Sequence, residues 1–271
     1  MHRCLSAGLL LALAAFAATC ASPSHDAPAT QADDAHEVAV ATSGGLAAAY
    51  DVLAPRFEEE TGIRLVTSYG ASTGGAPDSI PARLERGERF DVLIMSRAGL
   101  GALSERGRIR LGTRVDLASS SIGMAVREGA PIPDISTPEA FVETLLAAES
   151  IGYSASVSGT YVSEELFPGL GLAERLLPKC RRIVSERVAA VVARGELEIG
   201  FQQVSEILSI DGAAYAGPIP DEYQRLTTFS AGITTDANNP DGAQRLIDFL
   251  ASEAAARTVA ETGLEPVTGL N

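Results

Sequence analysis

Hydrophobic positions along the chain alternate between the period of a strand and the period of a helix. Residues Glu37 to Thr42 have the pattern of a short strand, and the apolar positions that follow recur at helical spacing until Gly62. The order repeats with IRLVTSYG and a helix around Ile80 that ends at Gly87, then with the buried strand RFDVLIMS before LGALSERG. Strands that alternate with helices predict an α/β protein with mostly parallel sheets flanked by helices.

The pattern changes once and later returns. Near Asp116 to Ile122 it leads through the proline-broken APIPDIS into a second series, in which Ser185 is predicted to cap the helix ERVAAVVARG before the strand LEIGFQQ. LTTFSAGITT and the helix opened by Asn239-Pro240 then continue the first series. One excursion and one return predict two lobes: residues 37–117 with 225–271, and residues 118–224.

The amino-terminal segment has the pattern of an export signal. Arg3 precedes an uncharged apolar run and then small residues, which predicts a signal peptide over residues 1–21. Cleavage after Ala21 and lipidation of Cys20 both remain open. The polar residues 22–36 lack periodicity and predict a flexible tether. We therefore expect a periplasmic or extracellular protein, with a membrane tether if Cys20 is lipidated.

Composition excludes several classes of function. All three histidines, of which His36 is the last, precede the predicted lobes, so a Ser-His-Asp or Cys-His site is excluded and a zinc site is disfavoured. The formal net charge is -14 and Lys179 is the only lysine, which disfavours nucleic-acid binding. We expect a monomer without a metal or cofactor.

Loops of small residues recur where predicted strands end. Ser43-Gly44-Gly45 opens the first helix, STGG begins at Ser72, SVSGT spans residues 156–160, and Ser185 precedes a further helix. Helix N-termini carry unpaired amides and partial positive charge, and open α/β sheets place ligands at the carboxyl ends of their strands. An alternative is that Ser43 is only an N-cap. The recurrence across both predicted lobes favours a cage of neutral donors for an anion.

Two long segments resemble a known family. VAVATSGGLAAAYDVLAPRFEEETGIRLVTSYGASTG followed by ERFDVLIMS resembles the periplasmic molybdate-binding proteins, a branch of the class II solute-binding proteins of ABC importers. VVARGELEIGF and GAQRLIDFLASEAAARTVAETGLEP resemble later segments of that family. The resemblance covers residues 37–266. It implies the type II periplasmic binding protein fold, with a ligand cleft between the two lobes and an ABC permease as partner.

The resemblance also implies positions for the ligand contacts. The family's two oxyanion-binding serines match Ser43 and Ser72, and its small residue with a donating amide matches Ser158. Ser185 stands where the family usually has valine, and Gln203 where it usually has the tyrosine that closes the site. The expected binding residues are Ser43, Gly44, Gly45, Ser72, Thr73, Ser158, Gly159, Thr160, Ser185, Gln202 and Gln203.

The two departures from the family pattern widen the choice of ligand. A hydroxyl at Ser185 and amides at Gln202 and Gln203 add polar groups, which suits a di- or tricarboxylate as well as molybdate or tungstate. Four or five hydrogen bonds at roughly 1.5 to 3 kcal/mol each give about micromolar affinity after ordering costs. Capture of a small anion for import is therefore our first interpretation.

Catalysis is the second interpretation, because the fold is also similar to that of a periplasmic aconitate isomerase. Moving the double bond of aconitate requires a base, and without histidine the candidates are Glu186, Glu206 and Tyr153. Each has a simpler interpretation: a first-turn charge, a solvated loop charge and a partly buried strand residue. Arg97 and Arg187 are the candidate cations, with surface ion pairing as the alternative.

Overall fold

The computed structural model describes residues 36–267. The predicted signal peptide, Cys20 and the tether up to residue 35 lie outside the described residues. The strands are β1 (Glu37–Thr42), β2 (Arg64–Tyr69), β3 (Val92–Ser96), β4 (Val115–Ser120), β5 (Ile122–Arg127), β6 (Ile151–Ser154), β7 (Cys180–Ile183), β8 (Ile199–Gln203), β9 (Ala213–Pro218), β10 (Thr227–Ile233) and β11 (Glu265–Pro266).

Helices connect most of these strands. They are α1 (Gly44–Thr61), α2 (Ile80–Glu85), α3 (Arg97–Glu105), α4 (Pro138–Ala147), α5 (Val157–Tyr161), α6 (Phe167–Gly169), α7 (Ala173–Leu176), α8 (Val188–Ala193), α9 (Val204–Leu208), α10 (Pro240–Leu250) and α11 (Glu253–Glu261). A π-helical turn, Val162–Leu166, joins α5 to α6. Within residues 36–267, no helix has both the length and the apolar character that a membrane crossing requires.

Two sheets form the two lobes. The first has the strand order β11-β4-β10-β3-β1-β2 and the second β7-β6-β8-β5-β9. The chain passes from the first sheet to the second at Ser121, between β4 and β5, and returns through residues 219–226, between β9 and β10. The predicted α/β class with two lobes is confirmed.

Strand direction within the sheets is mixed rather than mostly parallel. β1 pairs in parallel with β2 and β3, and β6 pairs in parallel with β7 and β8. The strands next to the crossings run antiparallel: β10 pairs with β3 and β4, and β5 pairs with β8 and β9. Buried strands of either direction have similar apolar runs, so the sequence pattern did not distinguish them.

Each lobe has its own hydrophobic core. In the first lobe the predicted face of α1 is buried, including Leu46, Tyr50, Leu53 and Phe57, and it packs with α10 and α11 against the sheet. Complete burial of such a side chain contributes about 1.5 to 3 kcal/mol. As predicted, α1 ends at Gly62, whose φ of 71° suits glycine. These contacts fix the first turn of α1 on the carboxyl edge of the sheet.

Helix caps follow the sequence in most places and fail in one. Thr137 caps α4 and Asn239 caps α10, each through its side chain, as their positions before a proline predict. Ser185, however, does not cap α8, because Arg187 occupies the N-cap position and the helix begins at Val188. The prediction was wrong because the edge strand β7 was not foreseen. Residues 184–187 are needed to turn the chain from that strand into α8.

Candidate functional site

A cavity of about 210 Å³ lies between the lobes, at the carboxyl ends of strands from both sheets. A single tetrahedral oxyanion needs less space than this. The first lobe contributes residues 43–45, 69–72, 78 and 229, and the second contributes residues 154–158, 183–187, 202, 203 and 206.

Ser43 joins β1 to α1 at the wall of the cavity. Its backbone N–H donates to Ile94 O at 2.8 Å, which fixes the corner to the neighbouring strand. Although Ser43 occupies the N-cap position of α1, its side chain makes no capping hydrogen bond. The interpretation of Ser43 as only a cap is therefore wrong. Its Oγ is buried without a hydrogen-bond partner, so it is available to a ligand.

Ser72 lines the same wall from the loop after β2. The expectation that this loop opens directly into a helix is wrong, because α2 starts only at Ile80 and is capped by the Ser79 hydroxyl. Ser72 Oγ instead accepts a hydrogen bond from the Ser96 N–H at 2.8 Å. Since the oxygen is acting as acceptor, the hydroxyl hydrogen is free to donate into the cavity.

A pair of serines supplies the equivalent donor in the second lobe. Ser154 Oγ accepts from the backbone N–H groups of Ser156 (3.4 Å) and Gly159 (3.2 Å), and it lies 3.2 Å from Ser158 Oγ. Because both acceptor sites of Ser154 are occupied, its hydrogen donates to Ser158. The Ser158 hydroxyl hydrogen is then free for a ligand. Such a chain of hydrogen bonds polarises its last member.

Four other predicted binding residues take different positions. Gly159 is buried, its amide donates to Ser154, and a Cβ there would overlap Ser154 O, so it serves the turn. Thr160 is exposed, and Thr73 is half-buried without lining the cavity. Ser185 lines the rim and is exposed.

Glu206 is an acid in the wall of the cavity. Its carboxyl group lies against the start of α1, since a Cβ on Gly44 would overlap Glu206 Oε1. Burial raises the pKa of Glu206, whereas the Arg187 charge and hydrogen bonds from the Gln202 side chain and the Gln203 N–H lower it. Burial is the largest of these effects, so the carboxyl holds its proton more tightly than an exposed glutamate. The interpretation of Glu206 as a solvated loop charge is therefore wrong.

Gln202 and Gln203 line the cavity but already have protein partners. Gln202 Oε1 accepts from the Ala189 N–H in the first turn of α8 at 3.2 Å. Gln203 contacts both crossings between the lobes. In the orientation that satisfies all of its neighbours, its amide nitrogen donates to Ser120 O (3.2 Å) and Ser121 O (3.3 Å), and its oxygen accepts from Thr227 Oγ1 (2.9 Å). Gln203 therefore connects the ligand wall to the crossings.

The remaining candidate acids are less suited to chemistry than Glu206. Glu186 lines the rim but is exposed and forms an ion pair with Arg194 at 3.0 Å. Tyr153 does not line the cavity and packs against the core of the second lobe. Among the candidate cations, Arg97 pairs at the surface with Asp116 at 3.5 Å.

Arg187 is the guanidinium that reaches the cavity wall. It is half-buried, donates to Ser209 Oγ, and lies close enough to Glu206 to lower its pKa. Its neighbour across the cavity, Tyr69, donates to Asp51. The sequence predicted a cage of neutral donors, but the wall also contains the charged side chain of Arg187. Within residues 36–267, no group of three or more metal-ligating side chains is placed to hold a metal ion.

Direct contacts join the lobes around the cavity. Ser205 Oγ donates to Gly45 O at 2.7 Å and is buried, which ties α9 to the first turn of α1. A Cβ on Gly74 of the first lobe would overlap the backbone oxygen of Ala155, a residue that lines the cavity from the second lobe. Gly74 also has a φ of 92°, which favours glycine. The structure therefore has the lobes in contact over the site.

Sequence comparison identifies the family of this two-lobed chain. The family model described as bacterial extracellular solute-binding protein matches residues 38–265. The chain belongs to this family of solute-binding proteins. This solute-binding protein is 41% identical over 240 residues to an aconitate isomerase of Pseudomonas sp, covering 89% of this chain and 92% of that protein. It is 25% identical to the molybdate-binding protein ModA of Azotobacter vinelandii over 86% of this chain and 91% of ModA.

The solved structures agree on the fold of this solute-binding protein. The periplasmic molybdate-binding protein of Azotobacter vinelandii superposes with a TM-score of 0.68 at 17% identity, over 84% of this chain and 98% of that chain. At this identity the similarity shows the fold alone. The family is one of extracellular proteins. Solved structures with the same fold include the substrate-binding domain of a putative molybdenum ABC transporter from Clostridium difficile, with a TM-score of 0.62 at 20% identity over 85% of this chain and 99% of that chain.

Proposed function

We propose that this protein binds an unsaturated tricarboxylate between its lobes and isomerises it by proton transfer, interconverting cis- and trans-aconitate. The observation that carries the proposal is the half-buried Glu206, whose carboxyl group lies beside the start of α1 in a cavity lined with hydroxyl donors. The 41% identical aconitate isomerase, matched over nearly its whole length, supports the same activity.

The donors around the cavity suit a ligand with several carboxylates. Ser43, Ser72 and Ser158 each have a hydroxyl hydrogen without a protein acceptor, and α1 directs its first amides at the same space. Arg187 adds a guanidinium that can pair with one carboxylate. The cavity volume of about 210 Å³ also leaves room for a ligand larger than one tetrahedral oxyanion.

Glu206 has the properties required of the proton-transfer group. The reaction breaks a C–H bond on the methylene carbon of aconitate and forms a C–H bond on the former vinylic carbon. The double bond shifts to the bond between the central carbon and the former methylene carbon. The negative charge of the intermediate spreads onto a carboxylate, where helix amides and hydroxyls stabilise it. Burial moves the pKa of Glu206 towards neutral pH, where one group can both accept and donate a proton efficiently.

The direct test is to incubate the protein with cis-aconitate or trans-aconitate and to follow the isomer ratio by ¹H NMR. We expect turnover in both directions and a loss of about 100-fold or more in Glu206→Gln, in line with the usual contribution of a general acid or base. Glu186→Gln is the matched control, because that glutamate lines the rim and is already paired with Arg194. Absence of turnover in the unmodified protein would refute the proposal.

Capture of an anion for ABC import is the second candidate function. The three free serine hydroxyls and the start of α1 make a binding site that needs no proton transfer, and the family consists of solute-binding proteins. Calorimetric titration with molybdate, tungstate, tricarballylate and both aconitates tests this candidate. High affinity for an oxyanion without aconitate turnover would favour import through a permease.

A further inference from the structure

The acid Asp78 lies in the cavity wall contributed by the first lobe. It belongs to the loop between β2 and α2, which closes on itself through a hydrogen bond from Ile80 N to Ala71 O at 2.9 Å. Gly70 makes room for the returning chain, since a Cβ there would overlap Asp78 O. The loop therefore carries Asp78 back to the carboxyl end of β2, next to Ser72.

The carboxyl group of Asp78 lacks the partners that buried acids normally have. Within residues 36–267, only two buried side-chain oxygen or nitrogen atoms have no hydrogen-bond partner: Asp78 Oδ1 and Ser43 Oγ. Both belong to residues of the same cavity wall. Buried polar groups are nearly always hydrogen-bonded, so two exceptions at one cavity point to a ligand or a reaction there.

Neighbouring arginines do not neutralise this carboxyl group. Arg83 Nε donates to the backbone oxygen of Asp78 at 3.2 Å, while its Nη1 pairs with Glu88 at 2.9 Å. Arg86 likewise binds Pro77 O and Glu88. The two arginines therefore bind backbone oxygens of the loop and Glu88, and neither forms a hydrogen bond with the Asp78 carboxyl group.

We propose that Asp78 is the second proton-transfer residue of the isomerisation, acting from the first lobe while Glu206 acts from the second. This role rests on the proposed function. In one direction, Glu206 takes the proton from the methylene carbon and the electrons of that C–H bond form the new double bond. The electrons of the old double bond take the proton of Asp78 at the former vinylic carbon. Substrate and product have the same composition, and the two acids exchange protonation states.

The exchange of protonation states makes the role measurable. Before the next turnover in the same direction, Glu206 must lose its proton and Asp78 must gain one from water. In D₂O, each product molecule should therefore carry one deuterium derived from solvent. A single residue that removes and returns the same proton would instead deliver product in which part of the hydrogen is retained.

The variant that tests this role is Asp78→Asn. We expect it to lose about 100-fold or more of kcat with trans-aconitate. Its affinity for the unreactive tricarballylate should be retained, because asparagine keeps the size of the side chain and Asp78 Oδ1 has no hydrogen bond to lose. Asp241→Asn, at the exposed start of α10, is the control for replacing an aspartate near a helix N-terminus. Thermal unfolding of both variants checks that they fold.

The possible outcomes separate this role from the proposed function. Turnover of Asp78→Asn within about threefold of the unmodified protein would overturn the role of Asp78 alone. Product that retains substrate hydrogen in D₂O would also overturn it. Absence of turnover in the unmodified protein would refute the proposed function and, with it, the role of Asp78. Lost turnover with retained tricarballylate binding supports both.

Discussion

Replacing Ser43 with alanine should weaken ligand binding without destabilising the free protein. Ser43 Oγ is buried and has no hydrogen-bond partner in the protein, so the substitution breaks no internal hydrogen bond. A buried hydroxyl left unpaired costs about 1 to 3 kcal/mol, so its removal should leave the free energy of unfolding unchanged or raise it. A hydrogen bond to a charged ligand contributes about 1.5 to 3 kcal/mol, which corresponds to an affinity roughly 10 to 150 times weaker.

Ser72→Ala provides the matched comparison. Ser72 Oγ accepts from the buried Ser96 N–H, so alanine leaves that amide unpaired. We expect this variant to lose about 1 to 3 kcal/mol of unfolding free energy in addition to affinity. Urea unfolding of the free proteins and calorimetric titration with tricarballylate measure the two effects separately.

The comparison is decisive because only Ser72→Ala is expected to lower the free energy of unfolding. If Ser43→Ala were clearly destabilised while its affinity for tricarballylate stayed unchanged, Ser43 would have a structural role. The assignment of its free hydroxyl to a ligand would then be refuted. Equal destabilisation of both variants would contradict the same reasoning.

Further predictions concern the acid, the cation and the contact between the lobes. Because burial raises the pKa of Glu206, the native protein binds this proton more tightly than the unfolded chain, and the associated stability is lost as pH rises through the raised pKa. Urea unfolding should therefore show Glu206→Gln gaining stability relative to the unmodified protein as pH rises above about 4, near the ordinary pKa of glutamate, and a difference that does not change with pH would contradict this. Arg187→Gln removes a charge that lowers the pKa of Glu206, so the acidic limb of the pH-rate profile should move to higher pH; a shift to lower pH would argue against Glu206 as the base. Gly74→Ala should weaken tricarballylate binding because its Cβ would overlap Ala155 O, whereas Gly75→Ala, with open space around it, should bind normally; equal affinities would show that this contact is not needed.

The sequence predicted those parts of the fold and site that depend on local pattern. The corner at Ser43 requires only a strand, small residues and an amphipathic helix in succession, and all three are adjacent in the chain. The two lobes followed from one interruption and one return of the same alternation. The loop containing Ser158 also lies beside a strand end, so its place in the cavity wall could be predicted from neighbouring residues.

Features that depend on packing between distant segments could not be predicted. The burial of Glu206 arises because α9 contacts the first turn of α1 through Ser205. Gln203 reaches both crossings, an arrangement that no spacing in the chain indicates. Asp78 stands in a loop without periodicity, and its position depends on the closure of that loop and on Gly70. Ser185 was misplaced because the short edge strand β7 has too few residues for a recognisable pattern.

The central claim, that donors of both lobes converge on one anion, is tested most directly by a crystal structure with bound tricarballylate. We predict carboxylate oxygens within hydrogen-bond distance of Ser43 Oγ, Ser72 Oγ and Ser158 Oγ in a single cavity, with Glu206 and Asp78 facing the carbon chain. A ligand bound elsewhere, or one that contacts only one lobe, would contradict the account.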